Sequence, residues 1–482
     1  MRALALAGAL ASLVVALFIA RPPSTPGVAM RDFESYYAAG ATWDADEDPY
    51  GRAIWQTERS IPGVVASRNE VLPFVGSPFA LPLWGALARL DYGHACLVWG
   101  IVLALCALTI VLGALWLAGG SLRGPEATAV LALGVGFGPL TSGLALGQTA
   151  IVACAGLVLV TIALRAREPL RAWLAAIAAA LQPNLALALV TLFDRRSRWM
   201  LFGSAVLAVG IVSTLALGGI APVCHYATLL SAHADAERFL AIQVTPAAAF
   251  RALGLLPALA MAAGLLIALL VALRTLSVVR ALGDDQAARL AVGCAALPLV
   301  NPFAHEHDLT VALIASVIAL RRLRGRLWVV AAAATLLVAV DWLALAQRPT
   351  ALAQRIALAL AASLAIVALR PEPVRRVHFF FGASALGVAV LGLYAAHDPL
   401  PIWPDALSSL HPAGMLSISA LWALEQQRSG IAALHPLWGA LRLISLCGCA
   451  VLWQACAAGL GALPDTNRPA PTRSQATAAL WA

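Results

Sequence analysis

Long apolar runs recur along the chain between residues 4 and 461, and short polar connections separate them. Each run of about 16 to 25 residues is long enough to be a helix that crosses a bilayer. A backbone exposed to lipid must satisfy its own hydrogen bonds, and a helix does so within one segment. The pattern therefore predicts an all-α polytopic membrane protein.

Arginine is concentrated in five of the short connections, which indicates how the chain is oriented. Cytoplasmic loops carry an excess of basic residues, so all five connections are predicted to face the cytoplasm. The five groups are Arg165, Arg167 and Arg171; Arg195, Arg196 and Arg198; Arg274, Arg280 and Arg289; Arg321, Arg322, Arg324 and Arg326; and Arg370, Arg375 and Arg376.

Two apolar segments do not fit this orientation as simple crossings. Residues 173–193 lie between the first two basic groups, so a single crossing there would place one group outside. This segment contains Gln182, Pro183 and Asn184 near its middle, and we predict two half-length helices that turn at the tripeptide. Residues 79–90 are predicted to lie along the outer interface. About 12 crossings remain, with both termini in the cytoplasm.

Two of the predicted crossings, residues 291–300 and 309–320, are short. At about 1.5 Å per residue, neither spans a hydrocarbon core of about 30 Å. We therefore expect the connecting residues 301–308 to lie at or below the outer surface, against protein or water rather than lipid.

Composition agrees with a membrane protein and excludes several other classes. Hydrophobic residues make up 61% of the 482 residues and charged residues only 12%, whereas soluble domains carry about 25% charged residues. The net charge of +8 comes from arginines in short loops, so it marks topology and not nucleic-acid binding. The spacing of the eight cysteines shows neither a disulfide framework nor a zinc site.

The acidic and imidazole side chains are concentrated in connections that this topology places outside. The largest of these connections, residues 21–94, contains nine of the 24 acidic residues, more than any other connection. The others are residues 142–148, 222–246, 301–308 and 397–411.

Several short motifs in these connections occur in an order that resembles a known enzyme family. The family is the polyprenyl-phosphate-dependent glycosyltransferases of the GT-C class, most closely family 87, and the likeness covers roughly residues 30–310. Two positions depart from its pattern: Ala150 stands where asparagine is usual, and Gln182 where lysine is usual. The motifs are Arg31-Asp32-Phe33-Glu34-Ser35-Tyr36-Tyr37, Asp48-Pro49-Tyr50, Pro73-Phe74-Val75-Gly76-Ser77-Pro78, Gly147-Gln148, Gln182-Pro183-Asn184, and Asn301-Pro302-Phe303 through His305, His307 and Asp308.

The resemblance implies a GT-C-like bundle of about 12 transmembrane helices with a large first outer loop. The catalytic module would be residues 1–330, including the outer loop 21–94; residues 331–461 would add C-terminal transmembrane helices, and residues 462–482 a polar cytoplasmic tail. The resemblance further implies transfer of a sugar, mannose in that family, from a polyprenyl-phosphate donor to a glycan or glycolipid acceptor. The reaction would occur at the outer face of a bacterial inner membrane. No nucleotide or other cofactor is expected, because the lipid phosphate already activates the sugar.

Asp32 is the candidate catalytic residue. This chemistry needs a base near the outer surface to deprotonate the acceptor hydroxyl, and Asp32 matches the acidic position of the family motif. Its alternative role is that of a helix cap or a solvated loop acid. Tyr36 lies four residues later on the same helical face and is a candidate to stack on a sugar, as is Tyr37. Interfacial tyrosines are also common without such a role.

Candidate substrate-binding groups come from four other parts of the chain. His305, His307 and Asp308 are expected to contact the donor, and a metal ion is not expected because no recognised ligand spacing accompanies them. Gln148 and Asn184 either bind substrate from the cavity wall or satisfy a broken helix. Arg52 and Arg68 are the chosen partners of the lipid phosphate, because a guanidinium matches a phosphate; the alternative is a solvated surface charge.

Two other functions remain open at this point. A secondary transporter would also use broken helices near Pro183 and Pro302, but its sequence often shows two matching halves, and none is visible here. A scaffold without activity is the third possibility, which the departures at Ala150 and Gln182 keep open.

Overall fold

The computed structural model describes residues 2–19, 30–62, 72–193, 195–340, 342, 352–370, 418–428 and 436–460. This part of the chain is 81% helical and has no strands, which confirms the predicted all-α class. Its N-terminal helices are α1 (Arg2–Ile19), α2 (Arg31–Asp44), α3 (Ala53–Ser60), α4 (Leu81–Ala88), α5 (Tyr92–Leu117), α6 (Pro125–Val135), α7 (Gly138–Leu146), α8 (Thr149–Arg165) and α9 (Pro169–Ala179).

The helices continue as α10 (Pro183–Ala186), α11 (Arg196–Ala216), α12 (Ile220–Glu237), α13 (Pro246–Ala252), α14 (Pro257–Ala281), α15 (Gln286–Val300), α16 (Thr310–Arg322), α17 (Gly325–Ala339), α18 (Leu352–Ala368), α19 (Ile418–Arg428) and α20 (Pro436–Gly459). Short 3₁₀ turns cover Pro78–Ala80, Leu187–Leu192 and Glu306–Leu309.

Four helices in the described residues are long and apolar enough to cross a membrane: α5, α11, α14 and the Gly439–Gly459 part of α20. A fifth span results if α6 and α7 are counted together, although they bend by 63°. Membrane association is therefore supported, while the total of about 12 crossings stays a prediction. One of the predicted crossings begins near residue 377, and this segment lies outside the described residues.

Two short helices are central in the described part of the bundle, and two long ones are peripheral. Both α15 and α16 are buried along nearly their whole length, so neither has to span lipid. By contrast, α5 and α14 expose apolar side chains at every fourth position, which is one face of a helix. These stripes contain Leu97, Ile101 and Leu105 on α5 and Leu265, Leu269 and Leu273 on α14.

Arginines from three of the five basic connections meet at one end of the bundle. Arg165 and Arg322 both donate to the carbonyl of Leu117, at 3.2 and 3.0 Å. Arg322 also donates to Asp285 at 2.6 Å, and Arg195 donates to the adjacent Asp284 at 2.8 Å. The predicted common side of these connections therefore corresponds to one surface of the molecule.

The helix break predicted at Gln182, Pro183 and Asn184 is present. Helix α9 ends at Ala179, and α10 begins at Pro183. Proline lacks the amide proton that a continuing helix needs, so it begins a new helix instead. The predicted interfacial segment, residues 79–90, forms the end of a 3₁₀ turn and then α4.

Candidate functional site

A cavity of about 130 Å³ lies between the start of α2, the junction of α7 and α8, the 305–307 turn and the end of α12. Helices α8 and α16 both begin beside it and both end among the arginines. With 17 and 13 residues at about 1.5 Å each, they place the cavity about 20 to 25 Å from the arginine-rich end. The side chains that line it most directly are Asp32, Tyr36, Gln148, His233, Glu237 and His305.

One wall of the cavity is formed by α2, which is held in close contact with α4. A Cβ at Gly40 would lie 2.2 Å from the backbone of Trp84, so only glycine permits this approach. Asp32 lies in the first turn of α2, and Tyr36 stacks on the Trp84 ring at a centroid distance of 5.0 Å. The packing of α2 thus fixes where Asp32 and Tyr36 meet the cavity.

Gln148 joins this wall through a glycine turn at the end of α7. Gly147 has φ of 80°, and a Cβ there would lie 2.7 Å from the Cβ of Phe33. The turn brings Gln148 against α2, where its amide donates to Asp32 Oδ2 and its carbonyl accepts from the Tyr36 hydroxyl at 3.0 Å. The three side chains form one connected group, which we call the Asp32 wall.

Burial raises the pKa of Asp32 above its usual value, although the charge of Arg31 and the hydrogen bond from Gln148 oppose the shift. Asp32 remains half-buried and open to the cavity. A carboxylate with a raised pKa accepts a proton more readily than a solvated one, which is what a general base requires.

The facing wall is built around Glu237, the last residue of α12. Its Oε1 accepts from Trp422 Nε1 at 2.7 Å and is 3.3 Å from His233 Nε2. Its Oε2 accepts from Gln243 Nε2 at 3.1 Å and lies 3.0 Å from His305 Nε2. We call Glu237, His233, His305, Gln243 and Trp422 the Glu237 wall.

The groups of the Glu237 wall stabilise charge on one another. Burial alone would raise the pKa of Glu237, but the charges and hydrogen bonds of His233 and His305 outweigh it and hold that pKa well below the usual range. Burial would likewise lower the pKa of His305, yet the hydrogen bond and charge of Glu237 raise it. Glu237 is therefore an anion held between imidazoles.

Asp308 lies behind the cavity rather than on its surface. It accepts from Gln182 Nε2 and Asn184 Nδ2, both at 3.4 Å, and from the backbone amide of His305 at 2.9 Å. Asn184 also donates to the carbonyl of Phe303 at 3.1 Å. The break between α9 and α10 thus anchors the turn that presents His305 and His307.

The structure brings half of the candidate residues to the same cavity. Asp32, Tyr36, Gln148, His305 and His307 all line it.

The other candidates lie elsewhere. Asn184 and Asp308 support the 305–308 turn, as described above. Tyr37 points to the far side of α2, where its hydroxyl donates to the carbonyl of Leu90 at 2.7 Å. Arg52 is exposed and does not line the cavity, and Arg68 lies outside the described residues.

Sequence reasoning missed His233, Glu237 and Trp422. The sequence predicts a connecting loop at residues 222–246, whereas α12 extends through much of this segment. One available signal was the spacing of His233 and Glu237, because residues four apart share a helix face and can pair. Trp422 lies in the region where the sequence shows only apolar helices.

His305, His307 and Asp308 are the one group of metal-type donors found in the described residues, with ligand atoms within 4.8 Å of one another. Three hydrogen bonds already converge on the Asp308 carboxylate. His305 Nε2 is directed at Glu237. Two of the three donors are therefore engaged within the protein, and we do not assign the group as a metal site.

In chemical terms the cavity combines a carboxylate able to accept a proton with a facing group of imidazoles. Apolar side chains, including Leu72, Val75 and Ile242, complete the lining and lower the local polarity. No family model matches this chain, and no curated protein or solved structure matches it either.

Proposed function

We propose that this chain is a membrane glycosyltransferase with a GT-C-like bundle of about 12 transmembrane helices. Its donor is a polyprenyl-phosphate sugar, mannose by resemblance to family 87. Its acceptor is a glycan or glycolipid at the outer face of a bacterial inner membrane. The resemblance of its motifs supplies this class, and the position of Asp32 in the cavity is the observation that carries it.

Asp32 is the proposed general base. The acceptor hydroxyl attacks C1 of the sugar and gives its proton to the Asp32 carboxylate. The bond between C1 and the phosphate oxygen breaks, and the polyprenyl phosphate leaves with the electron pair. The raised pKa of Asp32 and its opening to the cavity support this role.

The site's distance from the arginines supports an outer location. Basic loops favour the cytoplasmic side, and the cavity lies about 20 to 25 Å from them along α8 and α16. In a core about 30 Å thick, this depth supports a site just below the opposite surface. A lipid-linked donor reaches such a site without leaving the bilayer.

The test is a transfer assay in membranes that contain the full chain. Radiolabelled polyprenyl-phosphate mannose is supplied, and label in glycan or glycolipid products is measured against membranes without the protein. We expect chain-dependent transfer. Membranes that take up or flip the labelled donor but form no product would instead support the transporter.

The transporter remains the second candidate because of the helix breaks. Residues at the α9 and α10 break donate to the buried Asp308, and α6 bends into α7 by 63°. Transporters use such breaks to bind ions and substrates at membrane depth. A chain with neither transfer nor transport would be the scaffold.

A further inference from the structure

Two buried polar atoms at the cavity have no hydrogen-bond partner in the described residues: His233 Nδ1 and Ser142 Oγ. Both side chains line the cavity, and His233 is 4% exposed and Ser142 8%. Buried polar groups in proteins are nearly always paired, so each unpaired one calls for an explanation. A ligand that enters the cavity would supply the missing partner.

The His233 ring is held from two sides. Its Nε2 lies 3.3 Å from Glu237 Oε1, and its ring stacks on Trp422 with an interplanar angle of 23°. A carboxylate on one ring nitrogen fixes the orientation of the other and compensates the charge of an imidazolium. While Nε2 donates to Glu237, Nδ1 carries a proton only in the imidazolium form of the ring, and in that form Nδ1 can donate to an anionic oxygen.

The two unpaired groups are of a kind that can bind an anionic oxygen. Among the described residues that line the cavity, the acidic groups are Asp32, Glu237 and Glu306, the basic groups are His233, His305 and His307, and no arginine is present. His305 Nε2 is directed at Glu237 and Gln243. The one group of metal-type donors in the described residues does not include His233. An anionic oxygen is the partner that both an imidazolium N–H and a hydroxyl can bind.

We propose that His233 Nδ1 and Ser142 Oγ form the subsite for the phosphate group of a polyprenyl phosphate. The identity of this ligand rests on the proposed function. His233 is then the phosphate-binding group that sequence reasoning sought in Arg52 and Arg68, and Glu237 is its positioning residue. His233 belongs to the Glu237 wall and Ser142 to α7, so a phosphate bound by both would join two parts of the cavity lining.

The test is equilibrium binding of radiolabelled polyprenyl monophosphate to the purified full-length chain in detergent. His233→Gln keeps an amide near the Nε2 position but removes Nδ1, whereas His233→Asn keeps an amide near Nδ1 and loses the contact with Glu237. We expect His233→Gln to weaken binding by about 10- to 100-fold, as for a lost hydrogen bond to a charged group, and His233→Asn to weaken it less. His225→Gln, on the exposed face of the same helix, should bind like the wild type.

Ser142→Ala provides a second variant that spares the fold. Its hydroxyl makes no hydrogen bond within the described residues, so thermal stability should be unchanged while binding weakens by about 5- to 10-fold. Polyprenol, which has the chain without the phosphate, should compete poorly with the labelled ligand.

Four results would overturn the subsite: unaltered binding in His233→Gln, a larger loss in His233→Asn than in His233→Gln, equal competition by polyprenol, or loss of binding with a chelator. Failure of the proposed function is a separate result. Binding that depends on His233 in a chain without sugar transfer would reject the glycosyltransferase and keep the subsite. Sugar transfer in a chain whose ligand binding does not depend on His233 would support the glycosyltransferase and reject the subsite.

Discussion

The two carboxylates of the cavity, Asp32 and Glu237, differ in how completely the protein surrounds them. Glu237 is placed against four donor groups and is 2% exposed. Asp32 is half-buried. Among the described residues, Gln148 is the one side chain that donates to its carboxylate. Their pKa values shift in opposite directions, raised for Asp32 and lowered for Glu237.

The difference agrees with the proposed roles, in which Asp32 reacts and Glu237 supports the structure. A carboxylate whose anion is stabilised by charges and hydrogen bonds holds its proton weakly, so Glu237 is a poor base. At Asp32 the charge of Arg31 and the hydrogen bond from Gln148 do not outweigh burial, so Asp32 takes up a proton more easily. Similar residue types thus acquire different chemistry from their neighbours, as expected where acid and base roles are divided.

The largest expected effect is that of Asp32→Asn on sugar transfer. General-base help is worth about 10² to 10⁴ in rate, and asparagine cannot accept the proton, so transfer should fall by that factor. The substitution also removes a charge whose burial is unfavourable, so thermal stability should not fall. Asp44→Asn is the matched control on the same helix, because Asp44 is exposed and pairs with Arg89 at the surface. Equal transfer by the two variants would remove Asp32 from the mechanism.

The next effect is that of Glu237→Gln on stability. Removing the anion leaves His233 and His305 without their countercharge, and breaking a buried ion pair costs about 3 to 5 kcal/mol. We expect a loss of that order in the free energy of unfolding, measured by denaturation in detergent. Glu47→Gln, at an exposed position, should stay within about 0.5 kcal/mol of the wild type. A stability loss no larger than that of the control would contradict the central role of Glu237.

The sequence predicted the Asp32 wall better than the Glu237 wall, for a physical reason. Asp32, Tyr36 and Gln148 belong to local motifs, with Asp32 and Tyr36 on one face of α2 and Gln148 directly after the turn at Gly147. Glu237 and Trp422 are 185 residues apart, and their contact depends on packing between α12 and α19. No local pattern encodes such a pairing.

The fold, like the site, could be predicted from the sequence only in part. The all-α class followed from hydropathy, and the break at Pro183 followed from proline chemistry. The number of crossings did not follow as directly, because an apolar helix can be buried by protein as well as by lipid. Helices α15 and α16 are buried along nearly their whole length. Hydropathy alone does not distinguish these two environments.

A smaller effect should appear in the pH dependence of stability. The pKa of His305 is raised from 6.5 by Glu237, so the stability from this pair is fully present below pH 6.5 and is lost as pH rises through the raised value. The lowered pKa of Glu237 acts at the other end, because its contribution is present above pH 4.5 and is lost as pH falls through the lowered value. Thermal unfolding of the wild type should therefore shift to lower temperature as pH rises from about 6 to about 9, and Glu237→Gln should flatten this dependence. Equal slopes for the two proteins would show that His305 and Glu237 are not coupled.

The smallest expected effect is that of metal removal. A divalent ion at His305, His307 and Asp308 would have to compete with the hydrogen bonds from Gln182, Asn184 and the His305 amide for the Asp308 oxygens. Saturating chelator should therefore leave transfer within about 2-fold of the untreated rate, a change of less than about 0.5 kcal/mol. His307→Ala, which removes an imidazole from the cavity lining, should lower transfer more than the chelator does. Complete loss with chelator, restored by a divalent ion, would make the 305–308 turn a metal site. It would also mean that the histidines of the Glu237 wall act through that ion rather than directly on a phosphate.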